Sequence, residues 1–231
     1  MPDLRIDFAE RQKELKQFVS FLVELEKQAP LVSSRAEKKG AGRLAVMKAS
    51  SFLLAYNLVE HSVRQSFAGL YSKLADEKPT FKTLEEPFRD LWLRQQLKDR
   101  DAVFGSHDSY RKHTRKLLDT IANDEPLSLS PRNLPISGNL DADEIRALFS
   151  KHGLKLSVSK RASGGATLKT VKTKRNALAH GLETFTECGR EFGVSDIVQI
   201  CSETCLFVSG VVASAERATQ RSAGMCKVAS V

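Results

Sequence analysis

The sequence has no long hydrophobic run. Its start, Met-Pro-Asp-Leu-Arg-Ile-Asp-Phe, contains no apolar segment of the kind found in a secretory signal peptide. The longest apolar run lies near residues 205–215 and is too short and too interrupted to span a bilayer. These absences argue against a secreted protein and against a membrane protein. We expect a cytoplasmic protein with no membrane partner.

Paired metal-binding motifs are also absent. Four cysteines crowd the C-terminal third, and neither a Cys-x-x-Cys motif nor a pair of histidines accompanies them. A structural zinc site usually needs four convergent ligands, and a reducing compartment keeps such cysteines as thiols. We therefore expect no metal and no cofactor, and free thiols at Cys188, Cys201, Cys205 and Cys226.

Acidic residues are missing from residues 145–182, although the whole chain carries 28 of them. The Gly164-Gly165 pair in this stretch is not a P-loop, because no Gly-Lys-Ser/Thr follows a strand there. The formal charge of +8 favours a polyanionic partner, and a basic run of one sign attracts a phosphate backbone. The alternative is a generally basic, solvated surface. We predict nucleic-acid contacts for Lys160, Arg161, Lys169, Lys172 and Lys174.

Apolar residues recur at spacings of three and four through most of the chain, which is typical of amphipathic helices. This periodicity predicts a helical protein with one short strand at residues 154–158. The predicted loops are residues 30–42, 123–138 and 185–193, where glycine, proline or small polar residues gather. The predicted helices are residues 8–28, 43–74, 84–97, 108–122, 141–153 and 167–180, and a last long helix that is capped by Ser195 or Asp196.

The sixth of these helices ends in Lys-Arg-Asn-Ala-Leu-Ala-His-Gly, residues 174–181. Arg175 offers a planar, permanently charged fork of donors that suits a phosphate. His180 is the residue type that gives or takes a proton near neutral pH. Five residues turn through about 500° along a helix, so the two side chains lie about 140° apart, whereas Asn176 and His180 share a face. Two copies that meet across a two-fold axis could line one groove with both residues.

The string from Arg175 to Gly181 resembles the Arg-x(4–6)-His signature of HEPN domains, which are all-helical modules common among RNA-cleaving toxins and defence proteins. Other stretches are similar to the MAE-type branch of these proteins: residues 48–60, residues 137–141 leading to 151–154, and residues 185–190. The resemblance extends from about residue 10 to about residue 215. It implies an all-α, HEPN-like helical bundle in a single domain, residues 1–231. Its core helices are about residues 8–74 and 167–217, with a mostly helical insertion at about residues 84–160.

The resemblance also implies a reaction. RNA is cleaved when the ribose 2′-hydroxyl attacks the adjacent phosphate, which leaves a 2′,3′-cyclic phosphate. His180 moves a proton, Arg175 holds the phosphate, and Asn176 orients His180 or contacts the phosphate. No metal is needed, and the sequence agrees, because carboxylates for paired Mg²⁺ are absent around the motif. HEPN nucleases act as homodimers with a composite active site.

Polar residues interrupt the apolar face of the predicted helix at residues 43–74. Asn57, Glu60 and Arg64 lie on one side of it. One interpretation is a surface ion pair between Glu60 and Arg64. The other is a second polar wall that faces the Arg175 helix, and the resemblance in this stretch favours that role for Asn57 and Glu60.

Three functions remain in competition. The first is a metal-independent endoribonuclease that acts as a toxin or defence effector, with a cognate antitoxin or a neighbouring defence protein as a further partner. The second is a catalytically silent HEPN module that binds RNA or a partner protein. The third is a DNA-directed component of a restriction-type system. In related proteins a partner enzyme modifies a tyrosine two residues after the motif histidine; here that residue is Leu182, so we do not predict this control.

Overall fold

A computed structural model describes residues 4–28, 35–97, 106–134, 136 and 138–221, with backbone only at residues 35–39. The described residues are 79% helical and form no strand. This confirms the predicted all-α class. The α-helices of the described residues are α1 (Leu4–Gln28), α2 (Arg35–Asp76), α3 (Glu86–Gln96), α4 (His107–Ala122), α5 (Ala142–Lys151), α6 (Ala166–Ala179), α7 (Phe185–Arg190) and α8 (Val194–Gln220). Short 3₁₀ turns occupy Pro131–Asn133 and Lys160–Gly165.

The start of α2 differs from the prediction. The helix begins at Arg35, so it includes Gly40 and Gly42, which we assigned to a loop. A glycine costs a helix about 1 kcal/mol relative to alanine, but the good helix formers around these two residues outweigh that cost. The first part of the predicted loop, residues 30–34, lies outside the described residues.

The segment at residues 154–158 has no regular secondary structure, so the prediction of a strand was wrong. It has the alternating sequence pattern of a strand, but the described residues offer no other strand for it to pair with. Its end lies instead against α8, where a Cβ atom on Gly210 would come within 2.8 Å of the Ser157 carbonyl oxygen. Close packing on a helix therefore replaces sheet pairing.

The predicted loop at residues 185–193 contains a helix, α7. Thr184 caps it: the hydroxyl accepts from the Glu187 backbone N–H, and the Glu187 carboxylate accepts in return from the Thr184 N–H. This reciprocal pattern stabilises even a short helix. The α7 backbone approaches α2 so closely that a Cβ atom on Gly189 would lie 1.8 Å from the Ala45 carbonyl oxygen.

Acidic residues mark two further helix starts. Helix α5 begins within one residue of the predicted position, and Asp141 caps it, since its Oδ1 accepts from the backbone N–H groups of Asp143 and Glu144. By contrast, α8 begins one to two residues before the predicted caps. Asp196 lies inside the first turn, and its carboxylate accepts from the Gly193 N–H at 2.8 Å.

The chain divides into two compact units. The first comprises Met1–Val63, Ile136–Arg146 and Leu156–Val212. The second comprises Arg64–Pro135, Ala147–Lys155 and Ala213–Val231. Helices α2, α5 and α8 each contribute residues to both units. All the residues that we predicted to form the site belong to the first unit.

The core of the second unit contains a buried histidine. His152 is 1% exposed and packs against Phe67, Tyr71 and Phe88. Its Nδ1 lies 2.7 Å from the Leu148 carbonyl oxygen and its Nε2 lies 2.7 Å from the Tyr71 hydroxyl. A carbonyl only accepts, so Nδ1 carries the proton and Nε2 accepts from Tyr71. Burial lowers the pKa of His152 to about 4, so this imidazole is neutral at pH 7.

Helix α8 is the most apolar helix in the described part of the chain. It is longer than the apolar run at residues 205–215, and an 18-residue window of it has a mean hydropathy of 1.6. By length and composition alone such a helix could cross a membrane. Half of that window is buried inside the protein, as in a helix that packs in a protein core.

Candidate functional site

Helix α6 presents the Arg-Asn-Ala-Leu-Ala-His motif and ends directly after it. His180 is the last residue with a helical hydrogen bond, from its N–H to the Asn176 carbonyl at 3.0 Å. Gly181 then adopts a φ of +67°, and Leu182 donates to the Ala177 carbonyl at 2.9 Å. These bonds form a Schellman motif, which needs a left-handed residue after the helix. The chain turns away here, which leaves His180 exposed and Leu182 80% exposed.

The guanidinium of Arg175 is held by the protein on three sides. Its Nη1 donates to Asn176 Oδ1 at 2.7 Å, and its Nη2 donates to the Gly138 carbonyl at 2.6 Å. The same Nη2 lies 3.4 Å from Glu60 Oε2. One face of the guanidinium covers the ring of Tyr56, with Cζ 3.6 Å from the ring centroid. The side chain remains 21% exposed.

Tyr56 fixes the loop that meets Arg175. Its hydroxyl donates to the Gly138 carbonyl and accepts from the Leu140 N–H at 3.0 Å. Burial raises the pKa of Tyr56, although the Leu140 N–H and the Arg175 charge oppose the change. The phenol therefore stays protonated at neutral pH and can donate. Tyr56 was not predicted as a site residue, although it belongs to one of the stretches that resemble HEPN proteins.

Asn176 serves Arg175 rather than His180. Its Oδ1 accepts from Arg175, and its Nδ2 donates to Asn139 Oδ1 at 2.7 Å. Because a guanidinium only donates, the amide oxygen of Asn176 faces Arg175 and the amide nitrogen faces Asn139. The two residues that share a face of α6, Asn176 and His180, are joined only through the backbone. The loop residues Gly138 and Asn139 were not predicted as site residues, although the resembling stretch at residues 137–141 contains both.

Comparison with protein families decides the assignment. The family model described as HEPN_MAE_28990:/-like HEPN matches residues 3–221. The chain belongs to this HEPN family. No curated protein and no solved structure matches it.

The basic residues of this HEPN-type module fall into two groups. Lys160, Arg161 and Lys169 are exposed and form no ion pair with any described residue. Lys172 pairs with Asp141, and Lys174 pairs with both Glu183, at 3.1 Å, and Glu191, at 2.6 Å.

These ion pairs change the pKa values of their members. Burial alone raises the pKa of Asp141, but Lys172 and the backbone N–H groups of Glu144 and Asp143 together lower it. For Lys174 burial alone would lower the pKa. The hydrogen bonds and charges of Glu191 and Glu183 outweigh the effect of burial, so the pKa of Lys174 is raised. The partner carboxylates lie outside residues 145–182, the stretch without acidic residues. That stretch therefore contains fewer lysines free to bind a phosphate than its sequence indicates.

The HEPN motif is therefore assembled only in part. The structure brings together Arg175, Asn176 and Glu60. Asn57 is exposed, and neither its side chain nor the imidazole of His180 forms a hydrogen bond with any residue that the structure describes. Across the described ranges, no three His, Cys, Asp or Glu side chains converge as a metal site.

Proposed function

We propose that this HEPN protein is a metal-independent endoribonuclease that acts as a toxin or defence effector. The observation that supports it is the fixed position of Arg175, whose guanidinium is stacked on Tyr56 and bonded at both Nη atoms. A donor that is already in place costs no reorganisation when negative charge develops on a phosphate. The exposed His180, in the same motif, supplies a proton-transfer group that RNA can reach.

The reaction follows from these two groups. The ribose 2′-hydroxyl loses its proton and attacks the adjacent phosphorus, and the bond from phosphorus to the 5′-oxygen breaks. The products are a 2′,3′-cyclic phosphate and a 5′-hydroxyl, so water is not consumed in this step. His180 takes or gives one of the protons, and Arg175 stabilises the charge on the non-bridging oxygens. DNA is not a substrate because it has no 2′-hydroxyl.

We propose a homodimer as the active form. Arg175 and His180 lie about 140° apart around α6, and the Arg175 side is occupied by Tyr56, Glu60 and Gly138. A second copy that approaches the exposed end of α6 can place its own His180 beside this Arg175. The exposed Lys160, Arg161 and Lys169 then provide sequence-independent contacts to the RNA backbone.

The test uses wild type and His180→Ala with labelled total RNA in EDTA, followed by mapping of the new ends. We expect wild type to cleave and to leave 2′,3′-cyclic phosphates, and His180→Ala to lose at least about 10²-fold in rate. His107→Ala, which removes another exposed histidine, is the matched control and should cleave normally. Cleavage that needs added Mg²⁺ contradicts the mechanism.

The second candidate is a catalytically silent HEPN module that binds RNA or a partner protein. It is favoured by the occupied donors of Arg175, since three protein oxygens already accept from this guanidinium. In that case both wild type and His180→Ala leave RNA intact, and Arg175→Ala abolishes RNA binding.

A further inference from the structure

The donors of Arg175 can be counted. A guanidinium has five N–H groups, one on Nε and two on each Nη. Nη2 donates to two acceptors, the Gly138 carbonyl at 2.6 Å and Glu60 Oε2 at 3.4 Å, and Nη1 donates to Asn176 Oδ1 at 2.7 Å.

This arrangement leaves no place for a phosphate to bind Arg175 through two oxygens. A guanidinium binds an oxyanion in a bidentate way through two parallel N–H groups. These come either from Nη1 and Nη2 or from Nε and Nη2, so both arrangements use Nη2. The ring of Tyr56 covers one face of the plane. A phosphate that binds with two hydrogen bonds must therefore displace one of the two acceptors at Nη2.

Glu60 is the acceptor that can leave. The Gly138 carbonyl accepts a short hydrogen bond from Arg175, at 2.6 Å, and a second hydrogen bond from the Tyr56 hydroxyl. The Glu60 contact is about 0.5 Å longer than a good charge-assisted hydrogen bond, which measures about 2.9 Å. Its side chain is 28% exposed, so water can solvate the carboxylate after it moves away. Glu60 is also an anion, like the group that would replace it.

We propose that Glu60 occupies the substrate phosphate position on Arg175 and is displaced when RNA binds. The carboxylate keeps the guanidinium oriented in the empty site and competes with the phosphate for the same N–H group. Glu60 is thus a positioning residue that lowers affinity, not a catalytic base. This inference rests on the proposed function in one respect, namely that Arg175 receives a phosphate.

The experiment measures binding of a fluorescent 2′-O-methyl RNA oligonucleotide, which cannot be cleaved by its own 2′-oxygen. Glu60→Gln keeps the shape of the side chain and removes its charge. We expect this variant to bind about fivefold more tightly than wild type. In the Arg175→Lys background the same substitution should give no gain beyond the general effect of charge. Binding by Glu60→Gln that equals or falls below wild-type binding overturns the proposal.

General electrostatics is the main confounding effect, because removing any negative charge favours RNA. Glu26 lies on α1 in the same unit, is exposed and has no described ion pair, so Glu26→Gln is the matched control. Its gain should stay below about twofold and should be the same with Arg175 or Lys at position 175. A gain as large as that of Glu60→Gln assigns the effect to net charge and refutes the proposal.

A second measurement needs no change at Glu60. In wild-type protein with ¹³C-labelled glutamate, the oligonucleotide should shift one side-chain carboxyl signal, and that shift should be absent from Arg175→Lys. Unchanged carboxyl signals in saturated wild type contradict displacement of Glu60. Because the probe is not cleaved, the two proposals fail separately: tighter binding without nuclease activity refutes only the nuclease, and cleavage without tighter binding refutes only the role of Glu60.

Discussion

Two tyrosines on α2 each meet a side chain that can carry positive charge, and the two pairs behave differently. Tyr56 stacks under Arg175, which is 21% exposed and surrounded by acceptors. Tyr71 donates to His152, which is 1% exposed and neutral. The first pair retains a charge that a ligand can reach. In the second pair both ring nitrogens of His152 already have hydrogen-bond partners inside the core, Tyr71 and Leu148.

This difference separates a candidate functional cluster from a structural one. Around His152 the polar groups are matched one to one, so no group is left over for a ligand. Around Arg175 the match is incomplete, since the Glu60 contact is long and the Arg175 side chain is 21% exposed. We infer that the candidate site for RNA lies in the first unit, whereas the His152 cluster stabilises the core of the second unit.

The largest expected effect is on stability at acid pH and comes from His152. The unfolded imidazole has a pKa near 6.5 and the folded one near 4, so between these values only the unfolded state takes up the proton. Stability is therefore complete above pH 6.5 and falls as the pH drops toward 4, by on the order of 3 kcal/mol. Denaturant unfolding of wild type and His152→Phe across this range measures it.

The variant serves as its own reference, because only the pH dependence is compared. His152→Phe leaves the Tyr71 hydroxyl without a partner and is less stable than wild type at neutral pH by about 1–3 kcal/mol. Its pH slope between 4 and 6.5 should nevertheless be shallower than that of wild type. If wild type and His152→Phe lose stability with equal slopes between pH 4 and 6.5, then the pKa of His152 is the same in the folded and the unfolded protein.

The next effect compares the two tyrosine hydroxyls. Tyr56→Phe and Tyr71→Phe each remove one hydroxyl and leave a buried partner, so each should cost about 1–3 kcal/mol of stability. Only Tyr56→Phe releases the Gly138 carbonyl that orients Arg175. At saturating RNA and a temperature where both variants are folded, we expect kcat to fall about tenfold for Tyr56→Phe and to stay unchanged for Tyr71→Phe.

Kinetics distinguish a positioning role from a loss of folded protein. Loss of folded molecules scales the active-site concentration, which active-site titration measures, and leaves KM alone. A misplaced Arg175 lowers kcat for the folded fraction. If both tyrosine variants lose activity only in proportion to unfolding, the distinction between the two clusters is wrong.

Much of this organisation was predictable from local sequence. The predicted helices at residues 84–97, 108–122 and 167–180 match α3, α4 and α6 within two residues, because proline, serine and glycine mark their ends. The helix predicted from residue 141 begins one residue later, because Asp141 precedes an apolar periodic segment with Glu144 three residues on, which is the pattern of a helix cap. The Arg-Asn-x-Leu-Ala-His-Gly string and the three other resembling stretches identified the family that the comparison confirmed.

What could not be predicted depends on contacts between distant segments. The loop at residues 138–140 meets Arg175 and Tyr56 across 37 and 82 residues of chain, and no local pattern specifies that encounter. The segment at residues 154–158 has the alternation of a strand, and only the fold reveals that a helix covers it. The charges of Lys172 and Lys174 look free in the sequence because their acidic partners lie outside the run.

The smallest effect concerns those lysines and extends the same distinction to the surface. Lys169 is exposed and forms no ion pair with a described residue, whereas Lys174 bonds to Glu183 and Glu191. Lys169→Ala should weaken RNA binding about threefold and reduce the slope of log K against log salt by about one, since one phosphate contact is lost. Lys174→Ala should mainly lower Tm, because two carboxylates then lose their shared cation. Salt titrations of binding together with thermal unfolding separate the two. If Lys174→Ala changes the salt slope more than Lys169→Ala does, the ion pairs of Lys174 open when RNA binds. An ion pair within the protein would then not exclude a lysine from RNA contact.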